Sequence, residues 1–302
     1  MSELLQHVVN GLSLGSVYAL IAIGYSMVYG ILQLINFAHG EVVMLGSVFG
    51  FFVAPRLMQP LEPSTQMFVA VLLIAMVLCG FLGFLIERIC YRPIRKAPRM
   101  NCLITAIGIS LFLQYFTQLD FVFGAIPQSY PELIKTETLF AIAGVEVSNL
   151  QVLVLLLSLA LVALLQWIVF NTKLGKGMRA VSESTEIAAM LGIPVNRVIS
   201  FTFVLGSVLA AAAGTLVALM YPRVDAMMGS LLGMKAFVAA VLGGIGSLPG
   251  AVLGGLIMGL AEALTVGYLS SAFRDAIAFA ILIGVLLIRP SGLMGRVKVE
   301  KV

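Results

Sequence analysis

The sequence predicts an all-α fold: a polytopic bundle of about eight or nine transmembrane segments, at least one of them short or re-entrant. Three observations predict it. Of 302 residues, 61% are hydrophobic and only 11% charged, whereas an ordinary soluble domain carries about 25% charged residues. Apolar runs approaching the roughly 20 residues that cross a hydrocarbon core recur from one end of the chain to the other. No polar or Pro/Ser-rich linker divides them, so residues 1–302 read as a single membrane domain.

The runs are, in order, Val8 to Tyr29, Leu34 to Val53, Met67 to Ile86, Leu103 to Phe121, Leu150 to Phe170, Val198 to Met220, Met234 to Ile245, Ala251 to Val266 and Ala276 to Ile288. The first lacks a basic stretch before it and exceeds the length of a signal-peptide core, so it is expected to be retained. The run from Met234 to Ile245 is short, and short glycine-interrupted segments are the mark of broken helices at substrate paths. Pro249 makes GSLPG a turn. Gly246, Gly250 and Gly254 stand four apart, as do Gly255 and Gly259, a spacing that equally suits close helix packing.

Thirteen of the 18 basic residues fall in three places. Arg88, Arg92, Arg95, Lys96 and Arg99 form one cluster. Lys173, Lys176, Arg179 and Arg197 form a second, and Arg289, Arg296, Lys298 and Lys301 a third. Each borders apolar runs, the pattern of cytoplasmic loops rather than of a nucleic-acid surface. The C-terminus is therefore expected in the cytoplasm. The stretch from Asp120 to Asn149, with Glu132, Glu137 and Glu146 against Lys135, falls on the outer side. The side of the N-terminus depends on whether the short segment crosses. Cys79, Cys90 and Cys102 have no metal-ligand spacing and read as packing residues; no metal or cofactor is expected.

The most informative polar segment is GKGMRAVSESTEIAAMLGIPVNRV, Gly175 to Val198, inside an expected cytoplasmic loop spanning residues 171–198. It predicts a short helix. Ser182 is expected to cap it, Glu183 and Glu186 suit the positive end of its dipole, and Gly192 followed by Pro194 stops it. Ile187, Met190 and Leu191 share one face, leaving a rod of only about 15 Å with an apolar stripe. Such a rod fits a partner's groove; an interfacial helix lying on lipid is the other reading.

Glu186, Ala188, Ala189 and Gly192 resemble the EAA-type loop of bacterial ATP-binding-cassette importer permeases. The strings YALIAIGYSMVYG, LINFAHGE, ERICYRPIR, LITAIGIS, AAMLGI, KAFVAAVLGGIGSLPGA, GLAEAL and RPSGLMGR, spread from Tyr18 to Arg296, resemble one branch of that family: the LivH-type permeases of branched-chain amino-acid uptake. The resemblance implies a channel-forming subunit in the bacterial inner membrane. It also implies a second, related permease as heterodimer partner, two ATP-binding-cassette ATPase subunits and a periplasmic amino-acid-binding protein. Ser182 to Gly192 would then be the coupling helix and its flanks. Related permeases carry amides, urea and other amino acids, so the solute is less firmly implied than the class. The chain has no G-x-x-x-x-G-K-[ST] loop, in keeping with ATP hydrolysis on another polypeptide. No H-E-x-x-H or G-x-S-x-G constellation points to an enzyme.

Ionisable and polar groups inside apolar runs are candidate path residues, because a charge in lipid costs a few kcal/mol at least. Asn36, His39, Glu41, Lys235 and Glu262 meet that description. His39 and Glu41 are expected to face a path or each other, and Asn36 to satisfy backbone freed near Gly40. Gly243, Gly244, Gly246 and Ser247 are the choice for the narrow part. Glu87 reads as an interfacial ion pair with its neighbour Arg88, and Glu262 as a hydrogen-bonding group between helices. A self-sufficient carrier driven by H⁺ or Na⁺ would use His39, Glu41 and Glu262 as its relay.

Overall fold

The structure, a computed structural model, describes residues 2–58, 63–95, 97–142 and 144–295. Lys96, Arg296, Lys298 and Lys301 of the basic clusters lie outside them. Among the described residues, eight helices are long and apolar enough to cross a membrane, with one shorter apolar helix among them.

Helix α1 (Ser2–Leu32) is the most buried, and α2 (His39–Met58) follows after a non-helical link. Helix α3 (Thr65–Leu85) starts on a Ser64 cap and continues through a π-helical stretch, Ile86–Tyr91, into the short α4 (Arg92–Ile94). Helix α5 (Arg99–Thr117) leads to the long connecting loop. There β1 (Gln128–Ser129) pairs with the distant β4 (Arg223–Val224), and β2 (Thr138–Ile142) forms an antiparallel hairpin with β3 (Val145–Ser148). Helix α6 (Asn149–Asn171) begins on a capping box made by Ser148 and Gln151. Then come α7 (Lys173–Glu183), α8 (Thr185–Met190), α9 (Val195–Met220), α10 (Met228–Gly243), α11 (Leu248–Tyr268) and α12 (Arg274–Ile288).

The bundle's axis is the contact of α1 with α11. Gly11 and Gly15 meet Leu256, Gly259 and Leu260 so closely that a Cβ on either glycine would strike backbone. The four-residue spacing of Gly255 and Gly259 thus serves close approach, as small-residue faces do between membrane helices. Helices α3, α2 and α1 pack in turn on α9. There Gly46 lies against Ala211, and Gly214 against Val43 and Ser47.

Two ends follow from these contacts. The basic end carries Arg88, Arg92, Arg95 and Arg197; the loop end carries residues 118–148. Gln6 exchanges side-chain hydrogen bonds with the backbone of Glu146 at 2.8 and 3.0 Å, so α1 starts at the loop end. Leu293 and Met294 donate backbone hydrogen bonds to Leu242 and Gly243, so the tail after α12 lies at the basic end. The N-terminus therefore shares a side with the acidic stretch, the parity that nine passages require.

Three expectations need correction. Leu34 to Ala38 is not the start of the second span: Gln33 turns the chain at φ 54° and helix resumes at His39. His39 packs on Gly24, about two turns before the end of α1, and near Gly206 at the middle of α9, so α2 begins inside the bundle. The short seventh segment starts at Met228 rather than Met234, yet at 16 residues it reaches only about 24 Å, less than the roughly 30 Å of a hydrocarbon core. Glu87 pairs with Arg95, not with Arg88, and also accepts a hydrogen bond from Ser200.

Candidate functional site

Helices α2 and α10 both start within the bundle, and their first turns overlap. Gly40 lies against Gly229 and Gly233, and Gly229 against Glu41 and Met44, with no room for a Cβ. Only glycine on both helices allows two backbones this close. The overlap fixes Glu41 between α2, α5 and α10. Its Oε1 accepts hydrogen bonds from Ser230 Oγ at 3.0 Å and Ser110 Oγ at 3.3 Å. The residue is 1% exposed, and its Oε2, beside Gly229, has no hydrogen-bond partner among the described residues. Among the described residues, no basic side chain forms an ion pair with it.

His39, two residues earlier, faces the other way. Its ring meets Tyr25 edge-on at 4.7 Å between centroids and occupies the space left by Gly24. The two side chains therefore do not face each other, as a two-residue step of about 200° around a helix dictates. Asn36 acts on a different helix from the one expected. Its Oδ1 accepts from Tyr91 Oη at 2.9 Å, tying the link before α2 to the π-helical stretch, while its carbonyl accepts from His39 N–H.

Glu262 belongs to a second cluster. It is also 1% exposed. Tyr18 Oη donates to it at 2.7 Å, Lys235 Nζ at 3.1 Å, and Arg274 Nε pairs with it at 2.8 Å. Lys235 also meets Asp275 at 2.7 Å. Two cations and two carboxylates thus close on one another and join α1, α10, α11 and α12, with Glu262 hydrogen-bonded between helices. Buried charges so paired escape most of the cost of leaving water.

Gly243 ends α10, and Gly244, Gly246 and Ser247 make the turn into α11. Gly244 and Gly246 take φ values of 103° and 91°, open to glycine and strained for other residues. Gly243 is pressed against Gly250, and Gly244 against Gly295 of the tail. Ser247 Oγ caps α11 by accepting from Gly250 N–H, with Pro249 in the first turn. Replacement of Gly244 by Leu would break this turn.

At the basic end, the short helix is α8, and its cap is Ser184, whose Oγ accepts from Ile187 N–H. This corrects the expected cap. Thr172 starts a separate helix that runs through Ser182 and Glu183, and Ser182 Oγ donates back to the Arg179 carbonyl. Glu186 stands in the first turn as expected, and Gly192 ends the helix at φ 79°. Ala188 is buried on the bundle side, while Ala189 faces out. Ile187, Met190 and Leu191 are 59%, 85% and 74% exposed, an apolar knob at the tip of the loop.

Sequence reading did not find Ser110 and Ser230 around Glu41, nor Tyr18, Arg274 and Asp275 around Glu262. Ser110 and Tyr18 lie inside apolar runs, and Ser230, Arg274 and Asp275 just before them, but the partners lie up to 244 positions apart.

Comparison with known proteins follows the same outline. A family model described as the permease component of the branched-chain amino acid transport system matches residues 7–286. The chain is 44% identical over 303 residues to the high-affinity branched-chain amino acid transport system permease protein LivH of Escherichia coli K12, covering 99% of this chain and 97% of that one. It is likewise 44% identical over 302 residues to the permease protein BraD of Pseudomonas aeruginosa, covering 99% and 98%. A shorter stretch, 53% of the chain, is 34% identical to the autoinducer 2 import system permease protein LsrC of Klebsiella pneumoniae.

Proposed function

Because this chain belongs to the family of branched-chain amino acid transport permease components, we propose that it forms half of the membrane channel of an ATP-driven importer for leucine, isoleucine and valine. In this reading residues 1–302 are one membrane domain in the bacterial inner membrane, with the basic end and the C-terminus in the cytoplasm. The other half is a second, related permease. Two ATPase subunits bind at the basic end, and a periplasmic binding protein delivers solute at the loop end. The chain carries no catalytic step of its own.

The observation that most supports the reading is α8. Three large apolar side chains stand out from a capped helix too short to be stable alone, and a partner groove would cover them. Glu186 and Ser184 hold the helix start, and Gly192 lets the chain return to α9. ATP-driven closure of the ATPase pair would pull on this knob, and α7, packed on α6 and α9, would pass the displacement into the bundle.

The path is proposed to run past the start of α2. Glu41, with a carboxylate oxygen left without a protein partner, meets the ammonium group of the passing amino acid. His39 and Asn36 hold the broken start of the helix in place. The Gly243–Ser247 turn narrows the basic end, and Glu262 keeps the four surrounding helices in register. A weak path suits this task, since the binding protein supplies affinity and the channel must release its cargo.

The test is co-purification of the ATPase subunits with the two permeases. Met190→Asp with Leu191→Asp is expected to abolish it while the permease pair stays intact. Full retention of the ATPase subunits by that variant would refute the docking role of α8.

A further inference from the structure

A cavity of about 580 Å³ opens on the bundle surface at the basic end, between the end of α3 and the start of α9. It is walled by Arg88, Arg92, Arg197, Ser200, Phe84 and Phe201, with Asn196 and Pro194 at its edge. Glu87, on the same π-helical stretch as Arg88, is buried and held by Arg95 and Ser200. Arg95 in turn donates to Asn196 Oδ1 at 3.1 Å. Among the described residues, no ion pair or side-chain hydrogen bond engages Arg88, Arg92 or Arg197. Three guanidinium groups thus share one hollow with no counter-charge inside it.

The apolar surroundings show what kind of anion fits. Phe84 stands one turn above Arg88, and Phe201 one turn above Arg197. From there the outer face of α3 continues through Phe81 and Val77, which are 61% and 69% exposed. An anionic head at the arginines with a hydrocarbon tail along this face matches both parts. A free anion or an acidic protein surface matches only the first. Guanidinium groups bind phosphate oxygens in pairs and stay charged against apolar walls, and basic pockets between helices on the cytoplasmic side are where anionic lipid heads settle. The α9 N-terminus, whose cap residue Pro194 offers no side-chain acceptor, adds positive potential at the same place.

We propose that this cavity binds the phosphate of one anionic phospholipid, with the acyl chains lying along α3. Binding there would clamp the π-helical stretch to the start of α9, next to the loop that carries α8. The site lies apart from the proposed path and would exist whichever solute is carried.

The experiment uses the assembled transporter in nanodiscs of phosphatidylcholine, titrated with phosphatidylglycerol and read by native mass spectrometry. Wild type is expected to retain one phosphatidylglycerol in preference to phosphatidylcholine. Replacing Arg88, Arg92 and Arg197 together by Gln should weaken retention roughly 100-fold, about five-fold for each arginine. Arg56→Gln, at the far end of α2, should change nothing, and the triple Lys variant, which keeps the charge but loses the paired contacts, should fall between wild type and the Gln variant. Equal retention of both lipids by wild type, which needs no variant, would overturn the proposal. So would displacement of the lipid by inorganic phosphate at matched concentration. Loss of the ATPase subunits from the triple Gln variant with its lipid retained would assign the arginines to a protein interface and also overturn it.

Discussion

Glu41 and Glu262 are equally buried, each 1% exposed in a bundle of apolar helices, yet their surroundings are opposites. Glu262 is enclosed by a phenol, an ammonium and a guanidinium, with Asp275 balancing the second cation. Glu41 has two serine hydroxyls on one oxygen and, among the described residues, no partner on the other. A carboxylate locked among counter-charges can hold helices together but has little left to offer a solute. One supported only by hydroxyls adds little to stability and keeps an acceptor free. Burial alone does not separate structure from transport here; the inventory of partners does.

That contrast fails most visibly, if it fails, at Glu262. Glu262→Gln leaves buried Lys235 with the half-exposed Asp275 as its remaining counter-charge, and removing one partner of a buried pair costs up to about 3–5 kcal/mol. Thermal unfolding of the purified permease pair should report a loss of that order. Tyr18→Phe removes one hydrogen bond to the same carboxylate and should cost less, about 1.5–3 kcal/mol, by the same measurement. Glu41→Gln should move stability by no more than about 1 kcal/mol, because the amide oxygen still accepts from Ser110 and Ser230. Its effect belongs to transport: losing a charge-assisted contact worth about 1.5–3 kcal/mol should cut leucine uptake about ten-fold or more. A Glu41 variant that unfolds the pair, or a Glu262 variant that leaves it as stable as wild type, would reverse the two roles.

The order of segments was legible because membrane helices are written as long apolar runs, and the turn at GSLPG because proline and glycine have few alternatives. The break before His39 was not, since Leu34, Ile35, Phe37 and Ala38 are as apolar as the helix they precede. What marks the break is the backbone at Gln33 and the grip of Tyr91 on Asn36, 55 positions away. The cap of α8 was misplaced by two residues for a local reason. Ser182 and Ser184 are equivalent as caps, and only the helix from Lys173, unexpected across Gly175 and Gly177, assigns Ser182 to its interior. Gly175 belongs there because it lies against the backbone of Ile168 and Val169, a contact no spacing rule announces. The partners of Glu41 and Glu262 were hidden likewise, since pairing across a bundle leaves no period in the sequence.

The importer reading rests on energy coming from another polypeptide. Its most direct test is uptake of labelled leucine into proteoliposomes holding this chain, its partner permease and the ATPase subunits, with the binding protein outside and ATP inside. Uptake that requires both ATP and the binding protein is the predicted result. Leucine uptake by this chain alone, driven by an ion gradient, would contradict it.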